Sequence, residues 1–259
     1  MSGGIWRLAA FTLLTVLTAT ARPGAAHAQS YATEAAMVQG EHPFRSPQRF
    51  AFELRFGPYR PDVDSEFGGH RTPYKDYFGD SRKLMTQIEL DYEFFHGFGS
   101  LGAGVGVGFF TVSGQAPAGD GTGALTGDSS TFKVFPLSLS AVYRFDVLSE
   151  KRKIPIVPYG KIGLDYAYWQ ITNGNGDIAS DGTGGTGRGG TTGWHAAGGV
   201  ALVLDALDPD AARDFDADLG VNHTALVFEY RYANISGLGS ANRLHVGDTS
   251  WSLGIMLEF

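Results

Sequence analysis

The chain has 259 residues, no cysteine and a formal net charge of -7 at pH 7. The lack of cysteine excludes disulfide-stapled domains and thiolate chemistry, and the negative charge argues against a nucleic-acid partner. With 37 glycines, 18 phenylalanines and 11 tyrosines, the chain is too aromatic for a disordered acidic protein.

The N-terminal segment has the pattern of a secretory signal peptide. Arg7 supplies a positive charge, residues 8–19 are apolar, and residues 26–28 read Ala-His-Ala, a small-x-small cleavage site. The apolar run is shorter than the ~20 residues that a membrane-spanning helix needs. We therefore predict a cleaved signal peptide over residues 1–28. Residues 29–48 show no clear period and are predicted to be a periplasmic lead-in.

From Arg49 onward the chain alternates with a period of two, which is typical of β-strands. In the first segment Phe50, Phe52, Leu54 and Phe56 alternate with small or charged residues. Seven similar segments begin near residues 84, 101, 135, 161, 194, 225 and 250. One face of each segment is apolar and ends in aromatic side chains, while the other face is small, polar or charged.

This alternation predicts a membrane barrel. Segments of about ten residues match the length of a tilted transmembrane strand, and apolar-out, polar-in alternation is the signature of such barrels. Because lipid offers no hydrogen-bond partners, the sheet must close on itself. We predict that residues 49–259 form an all-β fold, a transmembrane antiparallel up-and-down barrel of eight strands.

The connections between segments alternate between long and short. Short turns are typical of the periplasmic side, and long loops are typical of the extracellular side. The predicted short turns are 96–99 and 146–153, with the longer, acidic 205–223 as an exception. The predicted extracellular loops are 60–82, 113–130, 170–191 and 234–248. Both termini are predicted to be periplasmic.

The predicted inward face is rich in charge. Eight strands leave room for little more than side chains, and buried charges must be paired, so salt bridges are expected to fill the lumen. A narrow conduit past the glycines of the third strand is the alternative. Glu93, Arg144 and Glu258 are also predicted to point inward. The candidate charge network consists of Glu53, Arg55, Glu89, Asp91, Lys161, Asp165, Glu229 and Arg231.

The last segment carries Trp251, Leu253, Ile255, Leu257 and Phe259 at every second position. It resembles the C-terminal strand of Gram-negative outer-membrane proteins. That resemblance implies recognition by the barrel-assembly machinery. Over residues 49–259 the chain resembles the small eight-stranded barrels of the OmpA transmembrane-domain and OmpW type. The resemblance implies a place in the outer membrane, in contact with its lipid and lipopolysaccharide.

Catalytic, cofactor and metal sites are not predicted. His195 lies near the outer rim, but the next inward residue is Ala197 where a His-Ser pair would need a serine. The acidic segment 205–223 departs from a calcium loop, because Gly220 comes one place late and Ala225 replaces the final glutamate. Calcium binding there is left open.

We therefore expect a structural, surface-display or interaction role, with an unknown surface ligand, and no enzymatic activity. A narrow channel or transporter for a small solute is the first alternative. A lipid-modifying enzyme is the second.

Overall fold

The structure of the chain is a computed structural model. It describes residues 49–68, 70–117, 125–152, 154–180, 185–205, 212, 214, 216, 218–240 and 243–259. The predicted signal peptide and lead-in, residues 1–48, lie outside the described residues.

Eight antiparallel strands form a closed barrel in which each strand pairs with its sequence neighbours and the last pairs with the first. The predicted fold class is confirmed. The strands are β1 (Phe50–Tyr59), β2 (Lys83–Gly97), β3 (Gly99–Pro117), β4 (Leu125–Arg144), β5 (Ile156–Asn173), β6 (Arg188–Val203), β7 (His223–Asn234) and β8 (Asp248–Glu258).

The barrel closes between β1 and β8. Their pairing runs from Ala51 opposite Glu258 to Phe56 opposite Leu253. Beyond Glu258, the backbone N–H of Phe259 donates to the Phe50 carbonyl at 2.8 Å, and the Phe50 N–H donates back at the same distance. These bonds leave no unpaired strand edge along that seam. Lipid offers no hydrogen-bond partners, so a strand in the membrane needs a paired neighbour on both sides.

The side chains alternate across the barrel wall as predicted. Leu84, Val105 and Ile162 are exposed on the outside, whereas Glu53 and Phe110 are completely buried inside. Such a continuous exposed apolar band is rare on a soluble monomer but is what a bilayer covers. The exterior is that of a transmembrane barrel.

Strands extend into two of the predicted loops, which corrects the bounds 113–130 and 170–191. The β3–β4 hairpin continues to Pro117 opposite Leu125, and the Ser113 and Thr131 hydroxyls lie 2.8 Å apart across it. Likewise β5 extends to Asn173 and β6 begins at Arg188. Outside the membrane a ladder needs only backbone hydrogen bonds, so glycine- and serine-rich segments pair without an apolar alternation.

The remaining connections contain short helices or keep the positions that the sequence predicts. The connection 60–82 contains a 3₁₀ helix, Val63–Phe67, and the helix α1, Pro73–Phe78. The predicted short turn 146–153 instead contains the helix α2, Val147–Arg152. The turn at residues 97–99 and the β7–β8 connection have the predicted positions. Within the described residues no helix is long and apolar enough to cross a membrane.

We call the end of the barrel that carries connection 60–82 the loop end, and the end that carries Phe50 and Phe259 the turn end. Each end has its own buried apolar cluster. The base cluster at the turn end contains Ala51, Val157, Ala201, Val203, Ala225, Val227 and Met256. The cap cluster at the loop end contains Tyr59, Val63, Tyr74, Met85, Phe110, Val112, Phe132, Val134, Ala167, Ile235 and Val246.

Candidate functional site

Arg55 of β1 is the centre of a buried ionic cluster in the lumen. Its guanidinium donates to Glu229 of β7 at 2.8 Å and to Glu89 of β2 at 2.5 Å, and it also bonds Glu53. The Arg55 side chain is 2% exposed. Three strands are thus tied together through one cation.

Two further cations complete this cluster. Lys161 of β5 reaches Glu53 at 2.8 Å, Glu89 at 3.2 Å and Glu229 at 3.4 Å. Arg144 of β4 reaches Glu53 at 2.9 Å and Glu93 at 2.8 Å and also bonds Asp91. We call the set the ion layer; it comprises Glu53, Arg55, Glu89, Asp91, Glu93, Arg144, Lys161 and Glu229.

The strand register explains why these side chains meet. Glu53 lies directly opposite Glu89, an arrangement that would be repulsive without the cations between them. On the other side of β2, Glu89 and Asp91 face Gly106 and Gly104 of β3. A Cβ on Gly104 would lie 2.2 Å from Asp91 Oδ1, so the glycine makes room for the carboxylate. Acidic side chains therefore lie against the glycines of β3, past which the alternative conduit would run.

A second polar layer lies closer to the loop end. The ring of His195 on β6 is 3.2 Å from Ser140 Oγ through Nε2 and 3.0 Å from Asp165 Oδ2 through Nδ1. The other oxygen of Asp165 accepts a 2.6 Å bond from Arg231. We call Ser140, Asp165, His195 and Arg231 the histidine layer.

The predicted network of eight residues is therefore divided between two layers. Asp165 and Arg231 belong to the histidine layer, and the other six belong to the ion layer, where Glu93 and Arg144 join them. The division arises from depth. Asp165 is four residues beyond Lys161 along β5, which places both on the inward face at different heights.

The histidine layer has the bonding pattern of a Ser-His-Asp triad, in which the carboxylate orients one ring nitrogen and the hydroxyl faces the other. The sequence search missed it because it looked for a serine beside His195 on the same strand. Ser140 is instead on β4, and both residues lie opposite Gly163 of β5. A Cβ on Gly163 would lie 2.6 Å from His195 Cε1, so this glycine allows the ring to cross to β4.

The serine and the histidine of this arrangement are both buried in the lumen. Ser140 is 4% exposed and His195 is 1% exposed. Along β5, the inward positions run from Lys161 in the ion layer, through Asp165, to Ala167 in the cap cluster. The histidine layer thus lies between the charged side chains of the ion layer and the apolar side chains of the cap cluster.

Connection 60–82 folds over the loop end of the barrel. Tyr74 of α1 is buried against Phe132 of β4, with ring centroids 6.1 Å apart. Asp64 accepts a 2.8 Å bond from the Tyr74 backbone N–H and pairs with Arg60 at 2.6 Å. Burial is the main cause that raises the pKa of Tyr74 to about 12. The connection is therefore a packed cap.

A polar cavity of about 420 Å³ opens beside this cap, between connection 60–82 and the β7–β8 connection. Two ion or hydrogen-bond pairs line it. Arg82 contacts Asp248 at 2.5 Å, and Ser65 Oγ lies 3.0 Å from His245 Nδ1. Arg60 also lines the cavity. We call it the rim cavity; its lining offers both charges and hydroxyls to a polar ligand.

At the turn end, Asp205 anchors the start of β7. Its carboxylate accepts the Thr224 backbone N–H at 3.1 Å and pairs with His223. Burial opposes ionisation, but the bonds from His223 and Thr224 outweigh it and hold the pKa of Asp205 below its ordinary value. Residues 206–211, 213, 215 and 217 of the acidic segment 205–223 lie outside the described residues, so the calcium hypothesis is not tested.

In the described part of the chain, no group of three or more His, Asp or Glu side chains is arranged to hold a metal. The alternate residues of the C-terminal strand, which were predicted to form the assembly signal, lie on the outer wall. Four of these five side chains are exposed and Leu257 is half-buried. The set comprises Trp251, Leu253, Ile255, Leu257 and Phe259.

No protein-family model matches the chain, and no curated protein matches it. Several solved structures are similar to it. The outer membrane protein OprG from Pseudomonas aeruginosa is 14% identical over 83% of this chain and 98% of that one, with a TM-score of 0.45. A major outer membrane protein from Thermus thermophilus is 16% identical over 83% and 100% of the two chains, with a TM-score of 0.43. Neisserial surface protein A is 13% identical over 83% and 98%, with a TM-score of 0.42. Likeness at this level carries no statement about activity, and the eight-stranded architecture rests on the chain's own strand pairing.

Proposed function

We propose that the chain is an integral outer-membrane barrel with a closed lumen, whose role is structural or is exerted by the surface at its loop end. One observation carries the proposal: the cap cluster, the histidine layer and the ion layer place buried side chains at successive depths inside the barrel. A protein that cannot pass solutes can act through the surfaces that it presents on either side of the membrane.

The outer wall supports the membrane location. Exposed apolar side chains cover all eight strands, and aromatic residues such as Tyr92 and Tyr230 lie toward opposite ends of the wall. Of the cellular membranes, the Gram-negative outer membrane is the one that single-chain barrels of this size occupy, and export by a signal peptide fits it. In this orientation both ends of the barrel sequence face the periplasm.

Two partners follow from that location. The apolar wall would contact lipid and lipopolysaccharide, and the alternating residues of β8 would be read by the barrel-assembly machinery. The rim cavity is a candidate place for a soluble ligand, because it is a polar concavity beside the cap.

The ion layer supports a closed lumen. Opening a path through it means separating Arg55 from three carboxylates that are each no more than 2% exposed. Removing one partner from a buried ionic network costs about 3–5 kcal/mol, so spontaneous opening would be rare. The channel alternative would require this layer to rearrange.

We propose further that the histidine layer is not catalytic. Its carboxylate is shared with Arg231, and its serine is sealed between filled layers of the lumen. A fluorophosphonate probe of serine hydrolases should therefore leave Ser140 unmodified. The wild-type barrel should be labelled no more than the Ser140→Ala control. Covalent labelling of Ser140 in the wild-type barrel would overturn this part of the proposal and favour the lipid-modifying alternative.

Fractionation tests the membrane assignment. The expected result is a band in the outer-membrane fraction that resists extraction by urea and migrates faster on gels unless boiled. A periplasmic or released protein, or a band whose migration is unaffected by heating, would contradict it.

A further inference from the structure

We propose that the lumen binds one additional positive charge, a proton or an alkali cation, between Glu89 and Asp91 at Gly104. The inference rests on the closed lumen of the proposed function, because an open one would let water solvate these carboxylates. It adds a ligand site to the ion layer, in which the protein's own cations leave negative charge uncompensated.

The charge balance of the ion layer is the first argument. Five carboxylates are held by only three cations, Arg55, Arg144 and Lys161. The carboxylates are those of Glu53, Glu89, Asp91, Glu93 and Glu229. His96 adds a 3.2 Å contact to Glu93 from an exposed position and can offset one charge at most. Uncompensated charge in a buried site is expensive, so a further positive charge is expected there.

Neighbouring groups do not remove this excess. Glu258 of β8 also faces Arg144, and Tyr159 of β5 contacts Glu229 through its hydroxyl at 3.3 Å. Glu258 is another acid and Tyr159 is a neutral phenol, so neither adds positive charge to the ion layer.

The positions of two oxygen atoms locate the site. Arg55 and Lys161 both contact Oε2 of Glu89, and Arg144 bonds Oδ2 of Asp91. The remaining oxygens, Glu89 Oε1 and Asp91 Oδ1, are buried and make no hydrogen bond within the described part of the chain. Their parent side chains are 2% and 0% exposed.

Both of these oxygens point at the same place. A Cβ built on Gly104 would lie 2.8 Å from Glu89 Oε1 and 2.2 Å from Asp91 Oδ1. The missing side chain of Gly104 therefore provides a small cradle that two unpartnered carboxylate oxygens share. Two carboxylates that face each other at short range cannot both stay ionised without a positive charge between them.

The small number of ligands indicates the class of charge. Calcium and magnesium take six or more oxygens, and the cradle offers two from the protein, with no cluster of three His, Asp or Glu side chains around it in the described residues. A shared proton is bonded to one carboxyl oxygen and donated to the other, and an alkali cation can keep part of its hydration shell. A monovalent charge therefore fits the cradle better than a divalent one.

Infrared spectroscopy of the full-length barrel in lipid, at neutral pH, tests the site. Spectra of the wild type would be compared with those of Asp91→Asn and Glu89→Gln, in sodium chloride and in choline chloride. A protonated-carboxyl band that is present in both salts and lost in both variants would identify a shared proton. A wild-type band that appears only in choline would identify an alkali cation, which choline is too large to replace.

Gly104→Ala gives an independent readout, because its methyl group would occupy the cradle. The matched control is Gly160→Ala, whose Cβ would meet nothing closer than the Ala197 carbonyl at 3.8 Å. We expect Gly104→Ala to lose the band, or the sodium dependence, and to unfold at a lower urea concentration than Gly160→Ala.

The proposal is overturned if the wild type shows no protonated-carboxyl band in either salt and unfolds at the same urea concentration in both. It is also overturned if the band persists in Asp91→Asn and Glu89→Gln, because the proton would then lie elsewhere. A conducting wild-type barrel would instead contradict the closed lumen, so the two proposals can fail separately.

Discussion

The hydroxyl of Tyr74 is buried beneath the cap and has no hydrogen-bond partner in the described part of the chain. An unpaired buried hydroxyl costs free energy, whereas the ring contributes packing against Phe132. We expect Tyr74→Phe to leave the cap equally or more stable and Tyr74→Ala to destabilise it by about 3 kcal/mol. Protease cleavage within connection 60–82 measures this difference, and equal cleavage of both variants would contradict the packing.

The same residue predicts how the cap responds to alkaline pH. Burial raises the pKa of Tyr74 from 10.0 to about 12, so the closed cap favours the neutral phenol. Its contribution is complete below pH 10 and is lost as the pH rises through about 12. Protease sensitivity of the cap should therefore increase over that interval in the wild type. Tyr74→Phe should remove this component, and an identical profile in the variant would contradict the assignment.

At the turn end, Asp205 contributes through its ionised form. Its pKa is held below the ordinary value by His223 and the Thr224 N–H against the opposing effect of burial, so its contribution is present at neutral pH. It is lost as the pH falls below about 4, through the lowered pKa of the folded state. We expect Asp205→Asn to cost about 1 kcal/mol at pH 7 and progressively less in acid. Urea unfolding of the wild type and of Asp205→Asn, at pH 7 and in acid, measures this cost. A difference in stability that does not change with pH would contradict the prediction.

At the scale of the elements, β8 completes the barrel through its backbone and presents alternate side chains to the outside. Phe259 closes onto Phe50 by two backbone hydrogen bonds, and the two rings stack with centroids 6.2 Å apart. The backbone hydrogen bonds do not depend on the Phe259 ring. Recognition of the strand during assembly would depend on it. This separation allows assembly to be tested independently of stability.

We expect Phe259→Ala to reduce the amount of barrel assembled in cells severalfold while refolding of the purified chain into detergent is retained. Phe259→Trp keeps an aromatic terminus and serves as the control. Quantifying the heat-modifiable band in outer-membrane fractions measures the effect. Normal assembly of Phe259→Ala would contradict the assigned role of this strand.

The sequence predicts the strands well where the membrane imposes alternation, and less well elsewhere. The inward and outward residues of β1, from Phe50 to Phe56, follow the prediction because one face meets lipid and the other the lumen. The ends of β3 to β6 were missed because strands outside the bilayer are held by backbone bonds that impose no side-chain pattern. The helix α2 was missed because its six residues are too few to show a helical period.

The candidate site could be predicted in composition but not in arrangement. Alternation identifies which charges face inward, so all eight candidate residues lie in the lumen. It carries no information about height, which depends on the register between strands. The contact of Ser140 with His195 is the clearest case, because it crosses β5 above a glycine and joins residues 55 positions apart.

At the scale of the whole molecule, buried side chains inside the barrel form successive layers from the turn end to the loop end. The base cluster, ion layer, histidine layer and cap cluster follow one another on the inward face, and each joins several strands. Charged layers between apolar ones make both hydration and rearrangement of the lumen costly. The proposed closure of the lumen would therefore be a property of the whole barrel and would not depend on a single residue.

Single-channel recording in planar lipid bilayers tests this closed lumen most directly. The purified, heat-modifiable barrel should insert without producing a resolvable current in symmetric salt, because we propose that the four layers close the lumen to water and ions. Stable, reproducible current steps from the wild-type barrel would contradict the account and favour the narrow channel.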